Sequence, residues 1–196
     1  GKGVQVDQHN ANAIWWLGQG SPTGGSGRES TRLRKSNTNA QTTTWWRELY
    51  MPDSGSTTGN YHSYNPMGFD VDASGNCYVV GEHTDGDNRP SWPWIAKWNT
   101  SGTLQRKKVY GKDTTAANAT TKFWRCAVDS SGNVYAVGPT IGSNSDQGAV
   151  PNGKRGYVMA KINTDGTLGW GRYINENQSD WDDQNFTITD LRIDPS

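Results

Sequence analysis

Two cysteines in 196 residues, Cys77 and Cys126, are too few for a disulfide framework. They fall at different phases of the pattern described below. A bridge between them stays open, and two buried thiols acting as small hydrophobes is the preferred reading. No run of about 18 apolar residues occurs, which excludes a spanning helix. The opening GKGVQVD lacks the apolar core of a signal peptide. Neither sign of charge prevails, with 19 Lys plus Arg against 19 Asp plus Glu, so electrostatics favours neither nucleic acid nor an anionic membrane. Hydrophobic residues make up 32% of the chain, low for a densely packed α/β enzyme. Ten Trp and eight Tyr outweigh three Phe, so burial relies on large rings with a polar edge, as in sheets packed face to face. With 24 Gly among many Ser, Thr, Asn and Asp, the chain reverses direction often and reads as all-β.

An internal repeat organises these residues. Asp-x-Ser-Gly-Asn followed by an apolar stretch occurs at Asp72 to Val80 (DASGNCYVV) and again at Asp129 to Val137 (DSSGNVYAV). Upstream, Val6 and Asp7 stand where Val71 and Asp72 stand, and IWWLG at Ile14 to Gly18 matches CYVVG at Cys77 to Gly81. Downstream, Leu191 to Ser196 matches Ala127 to Ser131 in character and breaks off where Gly-Asn is expected. Asp7, Asp72, Asp129 and Asp194 thus recur roughly every sixty residues, near the size of a four-stranded propeller blade with generous loops. The start at Gly1 and the interrupted last copy suggest a segment of a longer polypeptide.

Each repeat divides into two hairpins. In the second, Phe69 to Val71 and Cys77 to Val80 flank the turn Ala73-Ser74-Gly75-Asn76, then WIAKW at Trp94 to Trp98 and LQRKKVY at Leu104 to Tyr110 flank Asn99 to Thr103. The third gives Cys126 to Val128, Val134 to Val137, Tyr157 to Ile162 and Leu168 to Ile174, with its second turn at Asn163 to Thr167. The first is more divergent, with strands at Ile14 to Leu17, Thr31 to Lys35 and Trp45 to Tyr50, and Trp46 at the place of Trp170. The expected architecture is a β-propeller of three four-stranded antiparallel blades and the start of a fourth. Residues 1–66 form the divergent first blade, 67–122 the second, 123–186 the third, and 187–196 the first strand of a truncated fourth.

The hairpin turns are short, whereas the connections between second and third strands, and between repeats, vary in length. In an up-and-down blade both variable classes share one edge. Gln19 to Glu29, Glu82 to Pro93 and Pro139 to Arg155 should gather there with Pro52 to Pro66, Lys112 to Lys122 and Asn175 to Asn185. Insertions of this kind mark the binding face of repeat proteins.

The hairpin pair VDSSGNVYAVG (Val128 to Gly138) and MAKINTDGTLGW (Met159 to Trp170), with its sister VDASGNCYVVG and IAKWNTSGTLQ, resembles the bacterial β-propeller repeat known as the SBBP type. Such repeats are similar to those in virion proteins of marine tailed phages, where they form tail or fibre modules, and in large bacterial surface proteins. The resemblance is strong over Phe69 to Ile174 and weak before Tyr50. It implies a fold and hardly a chemistry, since propellers host enzymes, lectins and scaffolds alike. Three repeats and part of a fourth do not close a ring, which implies further chain or neighbouring subunits.

Few residues suggest catalysis. Asp70-Val71-Asp72-Ala73-Ser74-Gly75 looks like the opening of a calcium loop, but the twelfth position is Gly81 instead of a bidentate Glu, and Ala127 replaces Asp70 in the sister copy. A hairpin turn is the better account. His83, Asp85 and Asp87 share a loop without a second His or Cys at ligand spacing. Asp180, Asp182 and Asp183 around Trp181 read as an exposed acidic loop. No phosphate loop, nucleophile elbow or zinc-protease signature is present.

The best candidates for ligand binding are Tyr61, Tyr64, Trp92 and Trp181 on the variable edge, whose rings suit sugar stacking while Asn and Asp bond hydroxyls. Packing between blades, or anchoring of a protein neighbour, is the competing role and the favoured one. The sequence therefore points to a non-enzymatic structural or interaction module without cofactor or metal. Its expected setting is a virion, as a tail, fibre or decoration protein, or an extracellular cell surface. Its expected partners are other structural subunits in an oligomeric assembly, not nucleic acid or a membrane interior. A carbohydrate-binding surface propeller that recognises a host glycan is the alternative.

Overall fold

The computed structural model describes residues 3–7, 13–20, 30–39, 41–49, 62–85, 91–111, 120–141, 155–174 and 188–194. Every regular element among them is a β-strand. The first sheet holds β1 (Gly3–Val6), β2 (Ala13–Gly20), β3 (Ser30–Asn37) and β4 (Thr43–Leu49). The second holds β5 (His62–Val71), β6 (Cys77–Asp85), β7 (Ser91–Trp98) and β8 (Leu104–Val109). The third holds β9 (Thr120–Thr121), β10 (Arg125–Val128), β11 (Val134–Ile141), β12 (Arg155–Ile162) and β13 (Leu168–Ile174). In each sheet the strands pair in chain order and antiparallel, with β9 added beside β10 on the same edge of β11. The chain is all-β, as its composition implies. Its second and third sheets start at His62 and Thr120, before the sequence-based boundaries at 67 and 123.

The Asp-x-Ser-Gly-Asn pattern is a hairpin turn. Asp72 Oδ1 accepts the backbone N–H of Ser74 (2.9 Å) and of Asn76 (2.8 Å), while Oδ2 accepts the Asn76 side-chain amide (2.8 Å). Asp129 repeats this set with Ser131 and Asn133. An aspartate so occupied closes its own turn, the local competition with ladder bonding that makes Asx residues turn formers.

The first strand of a repeat does not run straight. β5 shifts register between Pro66 and Gly68, and the third sheet breaks at the same place into β9 and β10. Lys122 N then bonds Pro139 O (3.1 Å) and Trp124 N bonds Val137 O (2.8 Å). The irregularity explains one glycine of the repeat. A Cβ on Gly81 would lie 2.0 Å from Asn65 O, and one on Gly138 would lie 2.0 Å from Lys122 O.

Two apolar layers lie between the sheets. The first joins Trp15, Leu17, Leu33, Trp45 and Leu49 to Tyr64, Cys77, Val79, Trp94, Ala96 and Trp98. The second joins Tyr78, Val80, Ile95 and Tyr110 to Phe123, Cys126, Val134, Ala136, Val158, Ala160 and Ile162. Alternate residues of β6 and β7 enter different layers, so the middle sheet is buried on both faces. Cys77 and Cys126 belong to different layers and are both free thiols, and burial pushes the pKa of each well up.

The register also corrects one alignment. Lys35 faces Trp45 as Lys161 faces Trp170, so the counterpart of Trp170 is Trp45, while Trp46 points to the other face and is 59% exposed. The doubled Trp in an otherwise divergent repeat hid the phase.

Gly81→Ala should destabilise the chain by more than about 2 kcal/mol in urea unfolding, because backbone and not a flexible tip opposes the new methyl. Gly18→Ala, at the matching repeat position but with its nearest obstacle at 3.9 Å, should stay within about 0.5 kcal/mol of the parent.

Candidate functional site

Tyr64 and Trp92 are brought together, but inside the molecule. Cross-strand pairing sets Tyr64 beside His83 and His83 beside Trp92 in one row on the face turned to the first sheet. Tyr64 stacks on His83 with ring centroids 4.6 Å apart, and His83 lies 5.9 Å from Trp92. All three are buried, at 2%, 2% and 6% exposure. Trp94 meets Tyr64 edge-on at 5.5 Å, Lys107 Nζ lies 5.1 Å over the same ring, and Thr31 Oγ1 donates to Tyr64 O across the seam (2.9 Å). Burial lowers the Lys107 pKa. Tyr61 and Trp181 lie outside the described residues, as do Asp87, Asp180, Asp182 and Asp183. Below the variable edge, the indole nitrogens of Trp92 and Trp94 and the Ser91 hydroxyl are buried without hydrogen-bond partners. On the opposite face Glu82 pairs with Lys122 at 2.8 Å, tying the second sheet to the third.

The seams carry the most organised polar chemistry. Both oxygens of Asp70, in the first strand of the middle sheet, reach neighbouring sheets. Gln5 Nε2 donates to Oδ1 (3.0 Å) and the Val128 backbone N–H donates to Oδ2 (2.8 Å). Farther out, the fourth strand of one sheet grips the second hairpin turn of the next. Trp45 Nε1 donates to Thr100 O (2.9 Å) and Arg47 Nε to Gly102 O (2.8 Å). At the next seam Arg106 Nη1 donates to Thr164 O and Tyr110 OH to Gly166 O (3.0 Å). Gly102 fits doubly, with a φ of +77° and a Trp45 ring atom 2.6 Å from where a Cβ would stand.

A third repeated device sits inside each sheet. An aromatic ring on the second strand faces a lysine on the third, Trp15 with Lys35, Tyr78 with Lys97 and Tyr135 with Lys161. The ammonium groups lie 4.8, 4.9 and 5.7 Å over the rings, a contact of about 0.5–2 kcal/mol depending on burial. The turn aspartate joins in. Trp15 Nε1 donates to Asp7 Oδ2 (3.2 Å) and Tyr78 OH to Asp72 Oδ2 (3.0 Å). Burial first, then the charge of Asp72, raises the Tyr78 pKa far above its ordinary value.

No family model matches this chain, and a comparison with curated proteins found no match. Its functional reading therefore rests on the residues themselves. Among the described residues no three His, Cys, Asp or Glu side chains converge on a point that would suit a metal ion. Sequence reasoning weighed Asp70 only as the opening of a calcium loop and missed its role between sheets, along with the Asp, aromatic and Lys set and the seam donors. The set was discoverable, because Asp7, Asp72 and Asp129 precede Trp15, Tyr78 and Tyr135 at one phase and Lys35, Lys97 and Lys161 follow at another. Asp70 was not, since Gln5 and Ala127 fill its place in the sister repeats.

Asp70→Ala would strand the Gln5 amide and the Val128 N–H. It should cost about 1–3 kcal/mol in urea unfolding and raise exchange of the Val128 amide specifically. Acid tests the turn. Burial raises the Asp129 pKa, but bonds from the Asn133 side chain and from the Asn133 and Ser131 N–H groups outweigh it and hold it below the ordinary value. The folded state then prefers the carboxylate. Its contribution is complete above an unfolded pKa of about 3.9 and disappears as pH falls through the lower folded value. Asp165 and Asp190 are shifted in the same direction. The acid limb of a stability profile for Asp129→Asn should therefore be shallower than that of the parent, without vanishing.

Proposed function

We propose that the three sheets are consecutive blades of a β-propeller and that the chain is a structural and interaction module of a larger extracellular assembly, with a virion tail, fibre or decoration role as the specific reading. The observation that carries it is the repeated seam. Polar ties and apolar layers recur from sheet to sheet, the bonds from each fourth strand to the next sheet's turn all in one direction, while the Asp-x-Ser-Gly-Asn turns keep a constant form. A module of this kind holds a rigid frame and varies the connections between its strands, and fixed frames with variable loops suit presentation to neighbours or host. The likeness of VDSSGNVYAVG to the SBBP-type repeat supports the blade assignment, and its occurrence in phage virion and bacterial surface proteins supports the setting. Native mass spectrometry of the particle from which the protein is isolated tests this. The chain should leave in multimeric assemblies with other structural subunits, and a monomeric, unassociated chain in the producing cells would refute it.

The second reading, a glycan-binding surface, draws on the unpartnered indole nitrogen of Trp92 and hydroxyl of Ser91 beneath the variable edge. Both Tyr64 and Trp92 are buried in the seam, so their first role is packing. Trp92→Ala should cost about 3–5 kcal/mol, the range for a buried ring. On a glycan array, Tyr61→Ala and Trp181→Ala decide the matter. Binding by the parent that either change abolishes favours the lectin reading, whereas an array without binding eliminates it.

A further inference from the structure

The outer face of the third sheet carries, at the same register positions, the Trp and Arg pair that the first sheet uses to grip the second. Register equates Trp45, Arg106 and Trp170 at the start of the fourth strand, since they face Lys35, Lys97 and Lys161. Two residues on, Arg47 and Lys108 correspond to Arg172, and two further, Leu49 and Tyr110 correspond to Ile174. In the first two sheets the rings and the aliphatic chain of this row are closed off, while Arg47 and Lys108 stay exposed and Arg106 half-buried. Trp45 is 8% exposed, and Leu49 and Tyr110 are each 5% exposed. In the third it is open, with Ile174 at 45% exposure and Trp170 half-buried. The second strand agrees, because Trp15 and Tyr78 are buried while Tyr135 is half-buried. Trp170 lies 6.1 Å from Tyr135, with the Arg172 guanidinium 5.8 Å from its own ring, and Arg172 Nη1 bonds the adjacent Gly171 O (3.1 Å). Neither makes the bond to a neighbouring turn carbonyl that Trp45, Arg47 and Arg106 make, among the described residues.

The chain's own last described residues lie at the edge of this face. Residues 188–194 form no regular element and are reached from β10, where Arg125 Nε donates to Thr189 O (2.9 Å). By repeat position Thr189 corresponds to Trp124, and a Cβ on Gly68, the counterpart of Arg125, would lie 2.6 Å from Trp124 O. Thr189 thus stands against the third sheet as Trp124 stands against the second. Leu191 to Asp194 then take the phase of Cys126 to Asp129, that of an innermost strand.

From this we infer that the face formed by Tyr135, Met159, Trp170, Arg172 and Ile174 is a docking surface for a fourth four-stranded sheet of the same repeat, built outward from the chain's own Leu191–Asp194. Its second hairpin turn, of the Asn-Thr-x-Gly-Thr kind, presents two backbone carbonyls to the Trp170 indole N–H and the Arg172 guanidinium. The occupant is a sheet of this repeat and not a second copy's first sheet. The innermost strand of such a copy, β1, would need the place that Leu191–Asp194 already holds. The inference rests on the blade reading above and names the partner of one face.

The test grafts a copy of the segment Ala73–Gly111, the remaining strands of the second sheet, onto the full chain directly after Asp194. Indole and amide hydrogen exchange is then followed in the parent and the extended chain. The Trp170 indole N–H and the amides of β13 should exchange at least about tenfold more slowly in the extended chain, a gain that corresponds to roughly one hydrogen bond. Trp170→Phe and Ile174→Asp should remove the added protection in the extended chain and leave the Trp45 indole unchanged in both. The Trp45 indole is the control for the blade reading. If it is protected while Trp170 is not, this inference fails alone; if neither is protected, the stacking of sheets fails with it. A graft that stays unstructured on a folded chain overturns the inference. So does self-association of the parent chain that Ile174→Asp and Val4→Asp each abolish, because a second copy would then cover the face.

Discussion

A single carboxylate sets the spacing on which the other contacts depend. Asp70 lies in the first strand of the middle sheet and accepts from Gln5 on one side and from the Val128 backbone on the other. With three first strands held at hydrogen-bonding reach, the faces of successive sheets must meet, and large rings fill the space between them. The chain uses Trp for this purpose because an indole fills volume and still offers a donor. Within the first layer Trp15 finds Asp7 and Trp45 finds Thr100 O, while the indole nitrogen of Trp94 is buried without a partner. A phenyl ring would fill the seam without tying it to the adjoining turn.

Repetition here is kept in geometry more than in residue type. Trp45 and Arg106 share no chemistry beyond an N–H donor on a long side chain, yet each reaches the first carbonyl of the following turn. Arg47 on β4 and Tyr110, one residue past the end of β8, reach the second carbonyl from different positions. A seam built on backbone acceptors tolerates such exchange, because a carbonyl accepts from any correctly placed donor. By contrast, Gly81 and Gly138 are fixed by backbone contact at 2.0 Å, and there the repeat keeps its residue.

This difference explains what was legible in the sequence. The turns, the all-β character and the order of strands could be read, since Asp72 and Asp129 write their local bonding directly into a five-residue pattern. The phase of the first repeat could not, because adjacent Trp45 and Trp46 are indistinguishable until pairing with Lys35 separates them. Tyr64 and Trp92 lie next to variable connections in sequence, but the strands that bear them extend farther than the apolar pattern showed. β5 begins at His62 and β7 at Ser91, which carries both rings into the sheet. The role of Asp70 depends on two strands far away along the chain, and no local signal announces it.

The grips between sheets run one way. Donors on a fourth strand always meet the turn of the sheet that follows, and no described bond of this kind points back. An interface with that polarity is heterologous and cannot be satisfied by a two-fold pairing of identical faces. Growth by this contact therefore has a sense of direction. A stack extended by this contact keeps one polarity, and the rotation from each sheet to the next decides between a closed ring and an open helical fibre.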